Sequence, residues 1–145
     1  MLFRFFLLLN ILSIFSALEG LLDSIAVSGN PGTFVFAVPA AGSQPANLVD
    51  TSTTYSASTL SLARKITGQL NTNMPTGMTL AIELQAPLIG TSQGSVTMST
   101  TPADLITGMI LLTLQSGLQI TYTMTATVQA SPVTNSVVTV TYTLL

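Results

Sequence analysis

The sequence predicts an all-β domain, and three observations carry that reading. Ile120 through Val128 alternates large apolar residues with threonine, and the same alternation returns from Val138 to Leu144. A period of two places successive side chains on opposite faces of a pleated backbone, which is the pattern of a strand with one buried and one wet side. Short apolar runs elsewhere are punctuated at close spacing by Gly, Pro and Asn clusters, as in a meander of strands. No sustained period of 3.6 is present, and β-branched residues are frequent, so a helical bundle is excluded.

The N-terminus reads as a leader. Arg4 supplies a positive charge, and the run from Phe5 to Leu18 is apolar apart from Asn10, Ser13 and Ser16. That is the layout of a secretory signal peptide, and residues 1–22 are assigned to it. The cleavage window spans Ala17 to Ser24 but contains no A-x-A pattern. A membrane span needs about 20 apolar residues, and this run is interrupted at Asn10 and ends at Glu19-Gly20. Export with removal is therefore the expectation, and retention as an anchor is the alternative. Residues 23–145 then form a single β-sandwich domain.

Within that domain Ile25-Ala26-Val27 is the first strand, and Gly29-Asn30-Pro31-Gly32 turns the chain. Thr33 to Val38 follows and stops at Pro39. Ala40 to Thr53 is polar and proline-containing, and reads as the longest loop. Thr54 to Thr59 and Lys65 to Leu70 are the next strands, with Asn71 to Gly77 as a clear turn. Met78 to Ala86 puts Leu80, Ile82 and Leu84 on one face and is closed by Pro87. After a turn from Gly90 to Gly94, Ser95 to Ser99 is a short strand. One helical turn is expected next, because Thr101 can cap it, Pro102 suits its first position and Asp104 meets its free N–H groups. Ile106 to Leu114 is apolar enough for a buried strand, and Ser116-Gly117 turns it into the final pair.

Eight or nine short antiparallel strands at this spacing predict an immunoglobulin-like Greek-key β-sandwich. Its core is predicted to hold Leu80, Ile82 and Leu84 from one strand, Ile120, Tyr122 and Met124 from another, and Val138, Val140 and Tyr142 from the last.

Composition excludes several functions. The chain has no Cys, His or Trp, so the usual zinc and copper ligand sets and a Ser-His pair cannot be assembled. No disulfide braces the fold. Beyond the cleavage window the charged residues are Asp50, Arg64, Lys65, Glu83 and Asp104. The whole chain is only 6% charged, against about a quarter in ordinary domains, so its surface is covered by neutral polar groups. Nucleic acid is excluded as a partner for want of a basic patch. No cofactor, metal or small-molecule substrate is indicated, and the carboxylates show no calcium-loop spacing. A neutral surface does favour packing of copies against one another, since few charges must be desolvated.

Leu48-Val49-Asp50-Thr51-Ser52 resembles the signature of aspartic proteases, whose small retroviral type is an all-β homodimer with one catalytic aspartate from each chain. The resemblance implies Asp50 as that residue. Ser52 stands where the retroviral type has Gly, and the later apolar-apolar-Gly element is matched only loosely by Leu88-Ile89-Gly90. Asp and Ser are also ordinary turn residues, so Asp50 is read as a loop residue and the chain as a non-enzyme.

The combination of leader, charge-poor Thr/Ser/Ala-rich domain and the closing run Ser136 to Leu144 is similar to secreted bacterial fimbrial-type β-sandwich subunits, including the spore-coat-U-like group. That resemblance implies a secreted, periplasmic or cell-surface structural or adhesive module that joins other copies or envelope proteins by adding a strand at a sheet edge. The chain departs from it in having no cysteine pair and no obvious long alternating donor segment. Val137 to Leu144 carries no charge, Gly or Pro. At an edge such a strand invites pairing, whereas in the middle of a sheet the same composition is unremarkable. A small outer-membrane β-barrel is a further alternative, although Phe34, Phe36, Tyr55, Tyr122 and Tyr142 are few for two interfacial girdles.

Overall fold

The computed structural model describes residues 2–3, 23–37, 39–111, 114–130 and 136–145. The assigned leader, residues 1–22, lies outside them except for Leu2 and Phe3. The described residues form strands and turns with no helix. The strands are β1 (Leu2–Phe3), β2 (Ser24–Ser28), β3 (Phe34–Val35), β4 (Leu48–Ser58), β5 (Arg64–Leu70), β6 (Met78–Leu84), β7 (Thr91–Ser92), β8 (Val96–Thr97), β9 (Ala103–Met109), β10 (Gln115–Ala126) and β11 (Val140–Leu144).

Two antiparallel sheets enclose the core, one in the order β2-β4-β10-β6-β8 and the other β11-β5-β9-β7, while β1 pairs with β3. From β4 onward each strand lies in the opposite sheet from the one before it. The sandwich expected from the period-two pattern is therefore present, but its strand order differs from the immunoglobulin one. That order would set the second long strand beside the fifth. Here β4 pairs with β10, the sixth, and β9 joins the other sheet beside β5. Length offers a physical reason: β4 and β10 span 11 and 12 residues and can match along most of their course, which the seven-residue β9 cannot.

All nine predicted core residues are buried, and Tyr142, the most exposed of them, is 5% accessible. Tyr55, Ile66, Leu70, Leu105, Ile106 and Met109 complete the packing between sheets. Gly68 in β5 lets two side chains of the core lie close against the backbone. A Cβ there would lie 2.8 Å from Leu105 Cδ1 and 2.9 Å from Met98 Cε, closer than carbon atoms approach.

Several local expectations are corrected. Residues 48–53 belong to β4 rather than to the long loop, because β10 pairs with them through a bulge in which Thr51 and Ser52 oppose Thr121. The helical turn at Thr101 to Asp104 is absent. Ser99 Oγ accepts the Thr101 N–H at 3.1 Å, a local turn that competes with helix initiation, and Asp104 is drawn into β9 by pairing with Thr67. The strand expected over Ile106 to Leu114 ends at Met109, where Gly108 and Leu111 turn the chain with positive φ. Ser116-Gly117 is not a turn between strands. Gly117, at φ 72°, forms a bulge inside β10, a conformation glycine adopts without strain.

β10 is the central strand of its sheet, so its inner face should dominate stability. Ile120→Ala should cost about 2–5 kcal/mol through lost transfer energy and a residual cavity, whereas Thr121→Ala, on the outer face, should cost within about 0.5 kcal/mol. Chemical denaturation of both variants checks this; equal losses would contradict the assignment of faces.

Candidate functional site

Asp50 is half-buried in β4, not in a solvated loop. The bulge keeps it opposite Tyr122, and directly opposed residues of an antiparallel pair share a face, so its carboxylate lies toward the inner side at the end of the sandwich. Oδ2 accepts the Gly32 N–H at 3.0 Å. Oδ1 accepts the Ser52 N–H at 3.0 Å and the Ser52 hydroxyl at 2.7 Å. Burial alone would raise its pKa, but these three donors outweigh it and hold the carboxyl below the usual value of 3.8. A shallow hollow of about 240 Å³ lies alongside, walled by residues 32–35 and 48–50.

Below this carboxylate the core holds two tyrosines. The Tyr142 hydroxyl donates to the Tyr122 hydroxyl at 3.0 Å, in full burial. Burial, reinforced by the Asp50 charge, pushes the Tyr122 phenol up to about 12, so both remain protonated donors through the physiological range. Tyr55 closes a third polar contact, donating to the Gln85 carbonyl at 2.5 Å. These contacts locate Asp50 as a fastener that ties the Gly29–Gly32 turn to β4. Leu88-Ile89-Gly90 packs elsewhere, with Gly90 against Pro87, Met109 and Ile106.

A second polar cluster escaped the sequence reading because Asp23 sits at the edge of the assigned leader. Its Oδ1 accepts the Thr59 hydroxyl at 2.6 Å and the Leu60 N–H at 3.2 Å, and its Oδ2 accepts the Ser61 hydroxyl at 3.0 Å. Arg64 Nε lies 2.9 Å from Oδ2 without hydrogen-bond alignment, so the pair acts by charge. The Arg64 guanidinium also donates to Ser61 Oγ at 3.3 Å. Burial would raise the Asp23 pKa, but the hydroxyl donors, then Arg64 and the Leu60 N–H, hold it below 3.8. In the sequence only Arg64 lies close to the Thr59–Leu62 turn, and Asp23 stands 36 residues before Thr59. Lys65 and Asp104 form an exposed cross-strand pair at 2.9 Å, of small energetic weight. Among the described residues no group of three or more His, Cys, Asp or Glu side chains is placed to hold a metal.

The remaining candidate is a sheet edge. Among the described residues β11 pairs with β5 alone. Lys65 and Leu145 exchange both backbone hydrogen bonds at 2.9 Å, and the Asn71 N–H reaches the Thr139 carbonyl at 3.0 Å. Antiparallel ladders alternate, so Thr141 and Thr143 also bond toward β5, while the N–H and C=O groups of Val140, Tyr142 and Leu144 point away from it. Among the described residues no strand pairs with that outer side. The other edges of the two large sheets are β2, β7 and β8, and the last two are only two residues long. Shortness protects an edge; β11 and the neighbouring β2, which touch across one flank, have no such protection.

No family model matches the chain, no curated protein matches it, and no solved structure matches its fold.

The depressed carboxylates fix a pH dependence. A carboxylate with a lowered folded-state pKa stabilises fully above its unfolded value and loses that contribution as pH falls through the folded one. The melting temperature should therefore hold from pH 7 to about 4 and fall below it. The Asp23→Asn/Asp50→Asn variant should melt lower at pH 7 and show a shallower acid limb in a calorimetric series. An acid limb as steep as in the parent would contradict these roles.

Proposed function

We propose that the chain is a non-enzymatic secreted or cell-surface structural module that assembles with further copies, or with envelope proteins of similar build, through the outer edge of β11. The observation that carries this reading is the position of β11: the closing strand, free of charge, Gly and Pro, stands at the rim of its sheet with the backbone groups of Val140, Tyr142 and Leu144 turned outward. An unpaired row of this kind is a template for another strand, and natural edges are ordinarily blocked by Lys, Pro or a bulge. The charge-poor surface supports the same reading, since opposing copies desolvate little charge on meeting. Export by the N-terminal leader places the module outside the cytoplasm in this proposal. The fimbrial-type resemblance lends it a precedent in strand addition, without the cysteine pair of those families.

The test places cations on the edge. Thr139 and Thr141 face away from the core, so Thr139→Lys/Thr141→Lys should leave the melting temperature within a few degrees of the parent. In sedimentation velocity at matched concentration the parent should form larger species that the double variant lacks. An unchanged distribution with the fold intact would sink the edge-joining reading.

A further inference from the structure

A strand added to a sheet edge can come from a different surface of the neighbour, which builds an open filament, or from the same surface, which closes on a pair. The layout of the two large sheets favours the pair. Their orders, β2-β4-β10-β6-β8 and β11-β5-β9-β7, bring β2 and β11 together on one flank and leave β8 and β7 on the other. The first flank carries two five-residue strands with no charged residue in either. The second ends in strands of two residues, too short to support a neighbour's ladder. Among the described residues a head-to-tail filament therefore finds long edges on one flank and none on the opposite flank to receive them.

Resting on the proposal that β11 joins a neighbour, we infer that the neighbour is a second copy of this chain and that it adds the same strand, β11, about a two-fold axis at Tyr142, so that assembly closes at a dimer. The outward groups make the edge its own complement. Val140, Tyr142 and Leu144 turn their N–H and C=O groups away from β5, as the alternating ladder requires. The regular strand begins at Val140, because the Thr139 N–H is taken by the Asn71 side chain at 2.8 Å. Tyr142 is the middle of that row. Two copies turned antiparallel about it set Tyr142 against Tyr142 and Val140 against Leu144, each pair exchanging both backbone bonds. The side chains then fall correctly on both faces. The buried Val140 and Tyr142 stay on the core side. On the outer face Thr141 of each copy meets Thr143 of the other, a cross-strand pairing that favours sheet formation. β11 sets no charge against its counterpart, and Lys65 on the neighbouring β5 is held by Asp104 at 2.9 Å. The two four-stranded sheets become one, bounded at each end by the short β7.

The chain has no cysteine, which permits a test of register. Opposed residues that share no backbone bonds have Cα atoms about 4.5 Å apart, within the roughly 4.4–6.8 Å that a disulfide spans. Diagonal neighbours, at about 7–8 Å, lie beyond it. Thr141→Cys and Thr143→Cys are made separately in the otherwise unaltered chain and oxidised alone and as an equimolar mixture. The mixture should give several-fold more disulfide-linked dimer than either variant alone, and reductant should return it to the distribution of the parent. In sedimentation velocity the parent should pass from monomer to dimer on concentration and stop there. Parent species that grow beyond the dimer would show an open filament and overturn the inference while leaving the edge-joining reading in place. A parent dimer whose cysteine mixture links no better than either variant alone would put the contact in another register or on β2, and would overturn it in the same way. A parent that stays monomeric at every concentration would overturn both readings.

Discussion

The hydroxyl bond between Tyr142 and Tyr122 is the contact on which the arrangement of this sandwich turns. Tyr142 belongs to the edge strand of one sheet and Tyr122 to the central strand of the other, so their contact crosses the core. Among the described residues β11 has a ladder on one side only, and a strand so placed gains half the backbone hydrogen bonds of a central one. What fixes it is the inward row of Val138, Val140 and Tyr142, all buried. Each phenol is costly to bury alone and is satisfied by the other. The edge is thereby rigid on its inner side while its outer groups remain available.

The same economy runs through the charged residues. With so few of them, each carboxylate near the ends of the sandwich is enlisted to fasten a turn. Asp50 holds Gly32 and Ser52, and Asp23 holds the turn after β4. Both are stabilised in the ionised form, Asp23 with Arg64 beside it. The flanks are left to threonine, including a Thr79–Thr125 hydroxyl pair across β6 and β10.

Much of this was legible in the sequence, for a physical reason that also marks its limit. Strands with one wet face alternate, so β6, β10 and β11 and their nine core residues could be read directly. Alternation says nothing about which strand lies beside which, and the departure from the immunoglobulin order, with β10 beside β4 and β5 between β11 and β9, depends on strand length and pairing rather than on pattern. Bulges hide for a similar reason. At Thr51-Ser52 and at Gly117 an extra residue breaks the period, so a continuous strand reads as a loop in one case and as a turn in the other. Asp104 met the local rule for a helix start and was overridden by pairing with β5. The edge position of β11 was an open alternative, because composition alone cannot tell an undefended edge from a protected centre.

The central claim is that β11 is held on one side and open on the other, and residue-resolved amide exchange reads this directly. In dilute protein the amides of Thr141, Thr143 and Leu145, which bond toward β5, should exchange slowly, while those of Val140, Tyr142 and Leu144 exchange fast. On concentrating the protein the second set should become protected without change in the first. Uniform protection along β11 in dilute protein would show the outer side to be covered already, and outward amides that stay fast at every concentration would show that no neighbour adds there; either result would contradict the account.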